Sequence, residues 1–208
     1  MATGLFLSFE GGEGAGKSTQ ARRLADSLRA LGHEVVLTRE PGGTPNAEAV
    51  RTLLVSGTRD WQPMAETLLH MTARIEHVAA VIRPALLRGA IVISDRYVDS
   101  TRVYQGIGQG VGVETVDRLH ELALGGPMPD LTLLLDLPIA VGMARVAARG
   151  DDEHRYERMG AAFHEKLREG FLRLAEREKE RFVVIDATGE PERVAQAVRA
   201  AVRERCGV

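Results

Sequence analysis

Five short apolar runs recur along the chain, at Leu5 to Glu10, Glu34 to Arg39, Ala90 to Asp95, Leu131 to Asp136 and Phe182 to Asp186. Each has the length of a strand and reads as one buried on both faces. Between them the apolar positions return every third or fourth residue, over Lys17 to Leu31, Met64 to Arg88, Val113 to Leu124, Ile139 to Arg149 and Met159 to Arg181. That period predicts helices. Strand and helix alternate throughout, which predicts an α/β fold: parallel strands joined by right-handed helical crossovers, with helices on both sheet faces. Ligands then belong at the carboxyl ends of the strands.

Three loops break the alternation: Glu40 to Asn46, rich in Pro and Gly; Gln105 to Gly112, rich in Gly; and Gly150 to His154, short and acidic. Pro84 falls inside the long helical stretch and predicts a kink near Arg83 or a break into two helices. No repeat, low-complexity tract or linker divides the chain, so one domain over residues 1–208 is expected.

Composition narrows the class. Hydrophobic residues at 44% and charged residues at 27% are those of an ordinary globular protein. The net charge of -2 argues against general nucleic-acid binding, which needs a basic face, so any anion site must be local. Cys206 is the only cysteine, which excludes an intrachain disulfide and a zinc site of several thiolates. No apolar run approaches the about 20 residues of a membrane span, and the start lacks the basic region of a signal peptide. A cytoplasmic protein with neither a membrane nor a nucleic-acid partner is expected.

Between the first strand and the first helix, Gly11-Gly12-Glu13-Gly14-Ala15-Gly16-Lys17-Ser18 satisfies the pattern G-x-x-x-x-G-K-[ST]. Glycines let the backbone wrap phosphates, N–H groups and the helix dipole point at the anion, Lys17 reaches the β and γ oxygens, and Ser18 is placed for magnesium. Thr19 continues the loop into the helix. The loop establishes nucleoside triphosphate binding. Asp95, Asp136 and Asp186 each end a strand. Asp95 is the favoured second magnesium residue, because Arg96 and Tyr97 follow it and put a cation beside the anion. For the other two, helix capping or a strand exit accounts equally well.

A GTPase switch would use the same loop, but the Asn-Lys-x-Asp element that specifies guanine cannot be formed here: the sole asparagine, Asn46, precedes Ala47. The arginines fall in two sets, Arg39, Arg51, Arg74 and Arg96 in the first half and Arg145, Arg149, Arg155 and Arg158 late. Such grouping suits a centre that holds an acceptor phosphate and closes over a donor.

Phe9-Glu10-Gly11-Gly12-Glu13-Gly14-Ala15-Gly16-Lys17-Ser18-Thr19, Thr38-Arg39-Glu40-Pro41-Gly42-Gly43-Thr44, and Asp95-Arg96-Tyr97 followed by Ser100, Tyr104 and Gln105 together resemble bacterial thymidylate kinase over essentially the whole chain. The resemblance implies a P-loop nucleoside monophosphate kinase with a five-stranded parallel core, a short lid around residues 149–158 and a homodimer. It also implies transfer of phosphate from ATP to dTMP. Arg74 resembles the arginine that meets thymine, Arg39 and Arg96 those near the acceptor phosphate, and Tyr104 the tyrosine against the deoxyribose. Glu13 resembles the P-loop acid near the sugar 3′-hydroxyl, and Arg145 the arginine on adenine. Arg51, Ser100 and Gln105 complete the expected acceptor site. With no basic residue inside Gly11 to Gly16, the catalytic cation is expected from the lid, from Arg149 or Arg155.

Two departures stand out. His70, in Leu68-Leu69-His70-Met71, replaces the usual phenylalanine stacked on thymine, and His154 precedes Arg155 where relatives often have Asp. Local chemistry alone leaves open another monophosphate kinase or a P-loop regulator without catalysis.

Overall fold

The structure, a computed structural model, describes residues 4–55, 60–149 and 159–208. In chain order the elements are β1 (Leu5–Glu10), α1 (Lys17–Ala30), β2 (Val35–Arg39), α2 (Pro45–Val55), α3 (Pro63–His77), a π-helical turn (Val78–Ile82), α4 (Arg83–Leu87), β3 (Ile91–Asp95), α5 (Val98–Thr101), a second π-helical segment (Arg102–Gly108), α6 (Val113–Leu124), β4 (Leu131–Asp136), α7 (Ile139–Arg149), α8 (Ala161–Arg177), β5 (Phe182–Asp186) and α9 (Pro191–Cys206). Among the described residues the five strands form one parallel sheet in the order β2-β3-β1-β4-β5.

Side chains alternate across a strand, and β1 distributes its residues accordingly. Leu7 and Phe9 pack with Leu24 and Leu28 of α1, Ile93, Leu133 and Val198 of α9. Phe6 packs on the opposite face with Met71, Val78, Ile82, Val92 and Tyr97. A third cluster, around Leu134, Leu167, Phe171 and Leu174, seats α8 against β4. Several polar side chains buried with them are paired: Ser8 and Thr132 hydroxyls lie 3.0 Å apart, and Asp99 receives Arg181 at 2.7 Å and Arg102 at 2.9 Å.

The central strand β1 is flanked by β3 and β4, so the chain turns to opposite sides of β1 before and after it has laid down β3. That makes the carboxyl ends of β1, β3 and β4 the crevice where this topology places ligands. In register, Phe9 pairs with Asp95 and Leu133. The P-loop after β1 and the Asp95-Arg96-Tyr97 turn after β3 therefore emerge side by side.

The expected strands are present within a residue at their ends. The stretch Met64 to Arg88 is helical throughout but widened, because Pro84 has no N–H to continue the α ladder. The chain enters a π turn at Val78, and the N–H of Arg83 donates to the Val78 carbonyl five residues back. The expected loop Gln105 to Gly112 is helical as far as Gly108, and the loop Glu40 to Asn46 gives way to α2 at Pro45.

Candidate active site

Glycine geometry builds the phosphate loop. Gly11, Gly14 and Gly16 have φ of 134°, 71° and 86°, which L side chains rarely adopt. A Cβ on Gly14 would lie 2.1 Å from the Gly142 carbonyl oxygen, so the loop rests directly on the backbone of α7. Lys17 opens α1 and folds back, donating to the carbonyls of Gly11 at 3.1 Å and Gly12 at 2.8 Å. Burial and then Arg96 lower its pKa to about 8. Ser18 donates a short hydrogen bond to Asp95, which joins the two expected magnesium residues.

Arg96 adopts a left-handed φ of 70°, the conformation that residues other than glycine avoid. Its surroundings hold it there. Its guanidinium donates to Glu13 Oε1 at 2.8 Å, the Tyr104 hydroxyl at 3.2 Å, Ser100 Oγ at 3.0 Å and the Gly11 carbonyl at 3.2 Å. Tyr104 completes a triangle by donating to Glu13 Oε1 at 2.7 Å. Burial would raise the pKa of Glu13, but Arg96 and then Lys17 override it and hold the carboxyl at about 2. Beneath the turn, buried Glu10 accepts the Tyr97 N–H at 2.7 Å and the Ser100 hydroxyl at 2.6 Å. Burial and the Asp99 carboxylate push Glu10 up to about 8.

Next to this triangle opens a cavity of about 120 Å³. Glu13, Arg51, His70, Arg74, Arg96, Ser100, Tyr104 and Gln105 line it, so eight of the expected acceptor-site residues converge there from six different segments. Arg74, only 2% exposed, donates to Glu40 at 2.7 Å and to Thr101 at 2.9 Å. His70 lies one helical turn before it on α3, on the same face. The π-helical segment brings Tyr104 and Gln105 to the cavity together; such wide turns recur at functional sites.

Other expected residues stand elsewhere. Arg39 lies outside this cavity, 3.2 Å from Glu48, and lines a second one with Ser18, Thr38 and Asp95. Arg145 donates to the carbonyls of Ala187 at 2.9 Å and Thr188 at 3.1 Å, at the exit of β5. Ala15 is buried, and Ser18 and Thr19 are exposed at the start of α1. Asp136 pairs with Arg168 at 2.7 and 2.9 Å, and Asp186 accepts the backbone N–H of Thr188 at 2.9 Å as a strand exit. The side chain of Arg149, at the end of α7, lies outside the described residues, as do Arg155, Arg158 and the rest of the expected lid over 150–158.

Sequence reasoning missed four carboxylates and hydroxyls around the cavity: Glu10, Glu40, Glu66 and Thr101. Glu10 and Glu40 stood inside motifs already singled out, and an acidic residue in an apolar strand or beside a buried arginine is the available signal. Glu66 lies on a helix face that periodicity marks as core, with no local cue to its partner.

A P-loop beside an arginine-lined cavity, on a sheet of this order, defines a kinase of nucleoside monophosphates. A thymidylate kinase family model matches residues 9–198. The chain is 54% identical over 209 residues to the thymidylate kinase of Caulobacter vibrioides, covering 100% of each, and 51% identical over 201 residues to that of Geobacter sulfurreducens, covering 94% of each. It is similar to the crystal structure of thymidylate kinase from Ehrlichia chaffeensis, with a TM-score of 0.79 and 32% identity over 97% of this chain and 99% of that one. The chain belongs to the thymidylate kinase family.

Proposed function

We infer that the protein transfers the γ-phosphate of ATP to dTMP, giving dTDP and ADP in dTTP biosynthesis, with ATP on the loop Gly11 to Thr19 and dTMP in the cavity beside it. The observation that carries the site assignment is the Glu13–Arg96–Tyr104 triangle, in which a P-loop carboxylate is bonded directly to two residues lining the cavity. Donor and acceptor would meet at that triangle.

The second pKa of a phosphomonoester is about 6, so the acceptor is already largely dianionic at neutral pH and no strong base is needed. Catalysis consists of aligning two anions and neutralising them. Lys17 exchanges the Gly11 and Gly12 carbonyls for phosphate oxygens. Arg96, fixed by four acceptors, meets the acceptor phosphate, and Arg51 is placed to join it. Arg74 and Gln105 meet the base, His70 packs on its face, and Tyr104 and Glu13 line the sugar. Arg145 is assigned to the adenine, and Arg39 to the approach to the acceptor phosphate.

Ser18 and Asp95 supply adjoining hard oxygens, the donor set magnesium prefers, and would hold the ion together with oxygens of the phosphates and water. Bound there, magnesium neutralises charge on the donor phosphates. A single kinase domain over 1–208 is proposed, with Arg149 or Arg155 of the 149–158 lid as catalytic cation. Among the described residues no helix is long and apolar enough to cross a membrane, which accords with a cytoplasmic enzyme. A homodimer is proposed through the face of α3 and α4 that exposes Met64, Leu68, Ile75 and Leu87.

Coupled ADP release measured with dTMP, dUMP, GMP, CMP and AMP tests the reading. The highest kcat/KM is expected with dTMP; preference for a purine or for CMP would reject it.

A further inference from the structure

Gln105 reaches the cavity from the π-helical segment, and its amide nitrogen donates to Glu66 Oε1 at 2.8 Å. Gln109 donates its own amide nitrogen to the same oxygen at 2.8 Å. Glu66, on α3, is 0% exposed and lies behind the cavity rather than in its lining. A carboxylate oxygen in this position can only accept, so it selects the nitrogen end of each neighbouring amide. Gln105 itself stands in the cavity lining and Glu66 does not, so the amide is held from outside the cavity by its nitrogen end. Beside it stands Arg74, which has donors only and is itself fixed by Glu40 and Thr101.

We propose that Glu66 is a positioning residue that sets the amide polarity of Gln105, so that the cavity presents an acceptor beside a donor and selects 2,4-dioxopyrimidine monophosphates over 4-aminopyrimidine ones. The inference rests on reading this cavity as the acceptor site. Thymine and uracil offer N3–H as donor and the C4 carbonyl as acceptor, which is the complement of Gln105 and Arg74. Cytosine inverts both: its N3 accepts and its 4-amino group donates. Against a fixed edge it would set a lone pair on the Gln105 carbonyl and N–H groups on the Arg74 N–H groups. Buried mismatches of this kind reject an analogue far more strongly than a missing methyl group does. The discrimination holds only while the Gln105 amide cannot flip, and Glu66 supplies that constraint from outside the cavity.

The test compares kcat/KM for dTMP, dUMP and dCMP in the wild type, Glu66→Gln and Glu66→Ala, with KM for ATP and thermal midpoints measured alongside. Glu66→Gln preserves volume but offers Gln105 either an acceptor or a donor. The ratio of dTMP to dCMP is expected to fall at least about tenfold in both variants. The ratio of dTMP to dUMP and KM for ATP are expected to stay within twofold, because neither depends on the amide's polarity. A purely structural residue would lower all three substrates together and leave the ratios intact. That result, or a dTMP to dCMP ratio within twofold of wild type in both variants, would overturn the proposal; if Glu66→Ala does not fold, Glu66→Gln decides. A wild type that phosphorylates no pyrimidine monophosphate overturns the acceptor-site reading itself, and is recognised before any variant is compared.

Discussion

Arg96 and Glu13 are joined across the mouth of the cavity by a 2.8 Å ion pair, one residue from the turn after β3 and the other from inside the phosphate loop. The pair does two things at once. It holds a left-handed arginine in place, and it couples the phosphate loop to the wall of the cavity. Glu13→Gln keeps the shape and removes the charge, so Arg96 loses its anchor and Lys17 a neighbouring anion. A rise in KM for dTMP of about tenfold or more is expected, with a smaller change for ATP. Equal changes in the two KM values would show that Glu13 serves the P-loop alone.

Lys17 is buried, and its ammonium is held by two loop carbonyls. Lys17→Ala is expected to remove nearly all activity in a steady-state assay, because no other described side chain in the loop carries positive charge to the donor phosphates. Retention of a tenth of the wild-type rate would contradict the donor assignment.

His70 shares the Arg74 face of α3 and lines the cavity. If its ring packs on thymine, His70→Phe enlarges the stacking surface. KM for dTMP is then expected to fall a few-fold with KM for ATP unchanged. An unchanged KM would place the imidazole away from the base.

His120, on α6, is buried edge-on against Tyr97, and among the described residues neither ring nitrogen has a hydrogen-bond partner. Burial, then Arg74, lowers its pKa to about 4. The unfolded chain binds this proton near pH 6.5, well before the folded one does. The folded state therefore loses stability as pH falls from about 6.5 to 4, at no more than about 1.4 kcal/mol per pH unit. His120→Leu is expected to flatten that part of the stability profile in urea unfolding. A variant whose profile parallels the wild type would contradict this assignment.

The strands and the phosphate loop were legible in the sequence because both depend on local pattern: runs of apolar residues, and glycines at fixed spacing before Lys17. Convergence of Arg51, His70, Arg74, Arg96, Ser100, Tyr104 and Gln105 on one cavity was expected through family resemblance, not from spacing. Helix α2 and the π-helical segment were missed, as were the short α5 and the 16-residue α9. The first is short and weakly amphipathic, and the second is glycine-rich, with a wide turn that departs from the period used to find helices. The polar residues around the cavity escaped for another reason. Glu40, Glu66 and Thr101 act on partners 34, 39 and 27 residues away, and no local signal encodes such pairings.

The cavity beside the Glu13–Arg96 pair is assigned to dTMP. A crystal structure of the protein with dTMP bound tests it most directly. The phosphate is expected on Arg96, the sugar against Tyr104, and the thymine edge facing Arg74 and the Gln105 carbonyl. Thymidylate seated anywhere else, or with its base turned away from Arg74, would contradict it.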